Sequence, residues 1–387
     1  MLPTSSPETV GVSSARLEAA FDLVRGWVDD GTLPAATALV ARRGKIVGRL
    51  DAGKLSREPG APDVGPDTLY AVASITKPFT ATAIMLLAER GKLSIDQSVQ
   101  DFIPEFVGDG DPRIAKITVR HFLTHTSGLP EYTEENEEIR RKHLGLDAFV
   151  ASYCRGKLMF DPGTRYSYSN YGYGLMGEIV ARVSGRGYHE FVAEDILAPA
   201  GMTDSYLLPP ESVWERIAWV WLKTEPHTDY ERYNSPYFRK LGIPWGALYT
   251  TADDLALFGQ LFLDGGRSGG RGEGRQVLSP ATAREMTRNQ LVGVPGVDTS
   301  LGGAAPEASR GLGWDVKGPK TGHWIGDLAS AETFGHTGSA GSMLWVDPTT
   351  ELICVLIGTR TLESGWARDV PPRQALFSNA VAAAVTD

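Results

Sequence analysis

The sequence predicts an α/β fold with a mainly antiparallel sheet flanked by helices. That sheet is built from both chain ends, and a mostly helical subdomain is inserted between them. Three observations point there. Extended apolar segments gather near residues 36–73 and again near 334–358. The chain between them carries helical spacing and loops but few strand signals. No repeat of fixed period is present. A length of 387 residues allows one large or two medium domains. Strands at both ends with helices between favour one unit with an insertion. The expected division is an α/β part over about 1–75 and 280–387 and a helical part over about 76–279, within a single domain, 1–387.

In chain order, Ser13 can cap a helix running to about Asp29, with Leu17, Phe21, Val24 and Val28 on one face. Ala36–Val40 and Lys45–Leu50 flank Arg42-Arg43-Gly44 and read as a hairpin. Thr68–Ala73 is extended and leads into Ser74-Ile75-Thr76-Lys77-Pro78 and a helix to about Arg90. Helices are expected at Thr118–Leu123, Leu146–Ser152, Gly172–Ser184, Tyr188–Ile196, Ala252–Leu263 and Pro280–Arg288. Asp264–Arg275, rich in Gly and Arg, reads as a surface loop, and Val292–Ser309 as another loose stretch. Strands return at Phe334–Thr337, Ser342–Val346 and Glu351–Gly358, with a turn at Asp347-Pro348, and a helix from about Val370 can cover them.

Composition removes several classes of function. Acidic residues outnumber basic ones 47 to 38, a net charge of −9 that repels phosphate backbones, so no nucleic-acid partner is expected. The two cysteines, Cys154 and Cys354, suggest neither a disulfide framework nor a metal cage. The first sixteen residues hold Pro3, Pro7 and Glu8 where a secretory leader would carry a basic start and an apolar run. The apolar stretch Ala81–Ala88 is far shorter than the roughly 20 residues that span a bilayer. A cytoplasmic protein with no membrane partner is the expectation.

Three short motifs carry chemistry. Ser74 and Lys77 are three apart, so on a helix both side chains share a face. Near a helix N-terminus the dipole favours an alkoxide and eases deprotonation of the Lys, and a neutral amine can take the serine's proton. The plainer alternative is a Ser cap with an incidental Lys, although S-x-x-K occurs once in the chain. Tyr168-Ser169-Asn170 offers a phenol to share the proton relay and an amide to orient the Lys or a substrate carbonyl; packing and turn chemistry would explain it too. His336-Thr337-Gly338-Ser339 is an extended run of small residues along which a substrate could lie, with a backbone N–H for an oxyanion. Lys320-Thr321-Gly322 spells a similar tripeptide, but Gly318-Pro319 precedes it and it reads as a turn.

In this order the motifs resemble the serine β-lactamase/penicillin-binding-protein superfamily, above all its class-C-like branch, which includes family VIII carboxylesterases, D-aminopeptidases and DD-peptidases. The resemblance runs over almost the whole chain, through Pro7-Glu8-Thr9-Val10-Gly11, Leu123–Leu129 (LTHTSGL), Gly246–Leu255 (GALYTTADDL) and Gly311-Leu312-Gly313-Trp314. It implies a β-lactamase/DD-peptidase-like fold. It also implies Ser74 as acylated nucleophile, Lys77 as its base partner, Tyr168 as second general acid/base and Asn170 as a supporting residue. The oxyanion donors would be the backbone N–H groups of Ser74 and Ser339. His336, with Gly338 after it, stands where β-lactamases carry Lys. A His there is expected to be only partly charged near neutrality, where Lys would be a permanent cation for a substrate carboxylate.

His121 and His125 are four apart, as zinc ligands on a helix would be, but Phe122 stands where a metalloprotease places its Glu. A structural role is the expectation, with no metal and no cofactor. Aromatics between Trp214 and Tyr249, among them Trp219, Trp221, Tyr230, Tyr233, Tyr237 and Trp245, serve either a pocket or ordinary packing. The expected activity is that of a serine hydrolase, a carboxylesterase on small or short-chain esters with weak or no β-lactamase activity. The alternatives are a D-aminopeptidase or amidase, a β-lactamase or an acyltransferase of the same superfamily and, from another class, a non-catalytic binder that kept the fold. The expected partner is a small-molecule ester or amide.

Overall fold

The computed structural model describes residues 1–222, 232–269, 274–298, 303–305, 308–367 and 372–387. Strands β1 (Ala35–Arg42) and β2 (Lys45–Gly53) form the expected hairpin. Arg43 and Gly44 close it at positive φ, 51° and 76°, the conformation that matches the twist of a two-residue hairpin turn. Two short antiparallel pairs follow: β3 (Tyr70–Ala71) with β4 (Tyr249–Thr250), and β5 (Gly296–Asp298) with β6 (Gly303–Ala305). The C-terminal third adds β7 (Asp315–Val316), β8 (Phe334–Gly338), β9 (Ser342–Asp347) and β10 (Leu352–Gly358). One six-stranded sheet results, in the order β2-β1-β10-β9-β8-β7 with every neighbour antiparallel, so both chain ends supply it.

Side chains alternate across a strand, and here both faces are covered. Val40, Cys354 and Trp345 lie in one cross-strand row and share a core with α1 (Ser14–Asp29) and the C-terminal helix Arg373–Ala383. The adjacent row, Leu39, Val355 and Leu344, turns to the opposite core with the helix Ala252–Leu263. Ser13 caps α1 as expected, accepting from Arg16 N. The long helical stretch between β3 and β4 begins with α2 (Thr76–Glu89), whose residues from Thr76 to Leu87 are all buried.

Several expectations change in detail. The helix expected over Tyr188–Ile196 is one α turn, Tyr188–Val192, continued by a wider π turn, Ala193–Leu197. Val292–Ser309, read as loose, contains the β5/β6 pair, and Gly296 bridges Tyr166. Of Thr68–Ala73 only Tyr70–Ala71 is strand. The turn within Asp264–Arg275 is drawn together by an Arg267–Gln276 bridge, while its residues 270–273 lie outside the described residues, as do Tyr230 and Val370. Lys320-Thr321-Gly322 is a bend, and Lys320 pairs with buried Asp315. Among the described residues no helix is long and apolar enough to cross a membrane.

Candidate active site

Ser74 sits in a single 3₁₀ turn, Ala73–Ile75, ahead of α2, at the helix end the sequence indicated. The approach to it is tightly fixed. Val72 N donates to Leu248 O (3.0 Å), and Val72 O accepts from Ser342 Oγ (3.0 Å). Thr76 Oγ1 donates to Ala73 O (2.7 Å) and accepts from Leu248 N (2.9 Å). Ala73 is held at φ 47°, a left-handed conformation that costs a non-glycine residue about 1–3 kcal/mol and persists only when its surroundings impose it.

Lys77 reaches back one turn, donating from Nζ to Ser74 Oγ and to Trp245 O, both at 2.9 Å. The side chain is fully buried. Burial pushes its amine well below the ordinary lysine range; the Glu131 carboxylate opposes that shift and the Arg310 guanidinium adds to it. The amine is therefore available as a neutral base. The Tyr168 phenol stands beside the Ser74 side chain, and its ring centre lies 4.9 Å from Lys77 Nζ. Burial raises the phenol well above its usual range, so it stays protonated. His125 stacks on the Tyr168 ring at 4.5 Å.

Asn170 stands at the start of the helix Tyr171–Ser184 without capping it through its side chain, which instead donates from Nδ2 to Glu131 Oε1 (3.0 Å). Its buried Oδ1 has no partner among the described residues. The lysine is thus oriented by the Trp245 carbonyl, and Asn170 offers the cleft a carbonyl oxygen. His336, in β8, is buried and donates from Nδ1 to Thr337 O (2.6 Å), which leaves Nε2 unprotonated and without a partner among the described residues. Burial first, then Arg310 and Lys77, push its pKa down to about 3. The expectation of a partly charged histidine is corrected: it is neutral throughout the physiological range.

Gly338 ends β8 where a Cβ would stand 2.0 Å from Val72 O. Only glycine lets the strand press against the backbone that presents Ser74. Ser339 follows, its Oγ 2.7 Å from Tyr233 Oη. Ser74 and Ser339 line one cleft together with Asn170, Tyr132, Tyr233, Arg140 and Arg232. Its tightest, water-accessible centre is about 20 Å³, within about 310 Å³ of empty space that includes the opening to solvent. A larger depression of about 820 Å³ beside the helix Pro280–Thr287 contains none of the candidate site residues.

The structure brings Ser74, Lys77, Tyr168, Asn170, Gly338 and Ser339 together and places His336 behind Tyr168, the two ring centres 6.3 Å apart. The two spaced histidines act separately. His121 Nδ1 accepts from Thr118 N (3.1 Å) at a helix start, and His125 Nδ1 accepts from Ser169 N (3.1 Å), tying the Tyr168 loop in place. Among the described residues no three His, Cys, Asp or Glu side chains are grouped to hold a metal ion. Sequence reasoning missed Glu131, Tyr132, Arg140, Arg232 and Arg310. Glu131 and Tyr132 follow the quoted Leu123–Leu129 segment after one residue, Pro130, and Arg310 immediately precedes Gly311-Leu312-Gly313-Trp314, which is the signal that would have found them.

The chain is similar to several known proteins. Esterase EstB of Burkholderia gladioli is 33% identical over 230 residues, 56% of this chain and 56% of that protein. Penicillin-binding protein 4 of Amycolatopsis lactamdurans is 29% identical over 321 residues, 80% of this chain and 76% of that protein. The crystal structure of a penicillin-binding protein homologue from Caulobacter crescentus superposes with a TM-score of 0.77 at 28% identity, covering 97% of this chain and 99% of that one. The Beta-lactamase family profile matches residues 20–376, so the chain belongs to the Beta-lactamase family and is a serine hydrolase.

Proposed function

We propose that the protein hydrolyses small, short-chain carboxylic esters through an acyl-enzyme on Ser74. The observation that carries this reading is the contact between Ser74 Oγ and a fully buried Lys77 amine at 2.9 Å. Neutral Lys77 takes the hydroxyl proton as Oγ attacks the ester carbonyl. The oxyanion is received by the backbone N–H groups of Ser74 and Ser339. The Tyr168 phenol gives its proton to the departing alkoxide and recovers one from the Lys77 ammonium. Water then adds to the acyl-enzyme by the reverse relay, releasing the acid and restoring Ser74.

Three points support an ester. His336 is neutral, so the position at which β-lactamases carry Lys holds no cation. The cleft is narrow, which suits a short acyl group. The relative EstB is named an esterase. Turnover of β-lactams or D-amino-acid amides is the second reading, favoured by the similarity to penicillin-binding proteins. A panel of p-nitrophenyl acetate and butyrate, D-amino-acid amides and nitrocefin tests the order. The esters should give the highest kcat/KM, and a preference for nitrocefin would overturn the esterase assignment. The same proposal makes the small-molecule substrate the partner and the cytoplasm the location, which cell fractionation checks.

A further inference from the structure

Arg140 stands in α4 (Asn136–Arg141), counting α3 as Val119–Leu123, and lines the cleft with Ser74 and Asn170. It is only 3% exposed, and its Nε has no hydrogen-bond partner. Among the described residues no carboxylate pairs with it. The acids on and beside its own helix are engaged elsewhere: Glu135 by Arg155 (2.9 Å), Glu137 by Arg232 (3.5 Å) and Glu138 by Lys142 (2.7 Å). Its surroundings are aromatic, with the guanidinium carbon 5.4 Å from the Phe149 ring centre and Tyr132, Tyr153, Tyr233 and Tyr237 close enough to feel its charge.

A guanidinium cannot shed its proton, so burial without a counter-ion is costly unless a ligand supplies one. Arg232, one-third exposed on the same cleft, adds a second positive charge that long contacts to Glu137 and Glu363 (3.5 and 3.3 Å) only partly occupy. His336, by contrast, does not line the cleft. We infer that Arg140, with Arg232 beside it, is a carboxylate-binding subsite, so that the preferred substrates are short esters carrying a second, ionised carboxyl group. This rests on the ester reading of Ser74 and narrows it to half-esters of dicarboxylic acids or acylated hydroxy acids.

Four esters separate the two placements of the charge. Monomethyl glutarate carries the carboxylate on the acyl side and 4-acetoxybutanoate on the alcohol side. Methyl 5-methylhexanoate and 4-methylpentyl acetate are their uncharged counterparts of similar shape. The charged member of at least one pair should show the higher kcat/KM, and Arg140→Met should lower that charged-to-neutral ratio about 10- to 100-fold, the scale of a charge-assisted hydrogen bond. Arg140→Lys should recover part of it, and Arg140→Gln replaces the Met variant if thermal melting shows that variant unfolded. A ratio that no substitution moves overturns the inference. Calorimetric binding of glutarate to the Ser74→Ala protein needs no turnover and should weaken about tenfold or more when Arg140→Met is added. Glutarate that does not bind, or binds independently of residue 140, overturns the inference whatever the esters do. Arg140-dependent binding with no ester hydrolysis by the intact enzyme upholds the subsite and overturns the ester reading.

Discussion

Lys77 Nζ lies 2.9 Å from Ser74 Oγ, and its other hydrogen bond goes to the Trp245 carbonyl, not to a carboxylate. The difference matters for chemistry. A carboxylate in contact would hold the amine protonated, whereas a carbonyl in a dry site orients it without doing so. Glu131, the acid whose charge reaches Lys77, spends a hydrogen bond on Asn170. The pair is therefore a hydroxyl and an amine held one helical turn apart, as the proposed nucleophile and base require.

The pH dependence of kcat/KM should report this. Activity should rise with pH along an acid limb lying well below the usual lysine value of about 10.4. Lys77→Arg cannot supply a neutral base and should lose roughly 10²–10⁴ in kcat. Stability carries the same signature. Between the lowered folded value and the ordinary unfolded one, the unfolded chain binds more protons, so stability rises with pH across that window. Lys77→Met should flatten that rise, which thermal melts at a series of pH values will show.

His336 should make the fold sensitive to acid. Its folded pKa, about 3, is below the ordinary value of 6.5. Its contribution is therefore fully present above about pH 6.5 and is lost as pH falls through about 3. His336→Gln should reduce the loss of stability between those limits, measured as urea midpoints. Equal slopes in both proteins would mean that the ring is not buried neutral.

Gly338→Ala should destabilise the protein by about 1–3 kcal/mol, since the new methyl meets the Val72 carbonyl and the strand must retreat. Because Val72 precedes the turn that presents Ser74, kcat should fall as well. An active variant with an unchanged melting temperature would show that β8 does not press on that turn.

Prolonged chelation with EDTA should leave activity unchanged, because the proposed charge stabilisation comes from backbone N–H groups and the base is an amine. Loss restored by zinc would return attention to His121 and His125.

What the sequence revealed follows from the range of the forces involved. Ser74 and Lys77 were legible because a three-residue spacing is a local fact about a helix. The sheet was legible because its strands carry apolar runs at both chain ends, although β7, two residues long, left no pattern. The helix Asn136–Arg141 (NEEIRR) was invisible because it holds a single strongly apolar residue, Ile139, and has no face to read. Arg140 was hidden with it. The charge of His336 was misjudged because it is set by burial and by Arg310 and Lys77, both distant in sequence. The β5/β6 pair was missed because its Gly- and Ala-rich strands look like loop.

The central claim is acylation of Ser74, and peptide mapping by mass spectrometry tests it most directly. The protein is incubated with a slow ester or a fluorophosphonate, quenched and digested. The account predicts one adduct, on the peptide carrying Ser74, absent from Ser74→Ala while that variant keeps its fold by circular dichroism. An adduct on any other residue, or ester turnover that persists in Ser74→Ala, would contradict it.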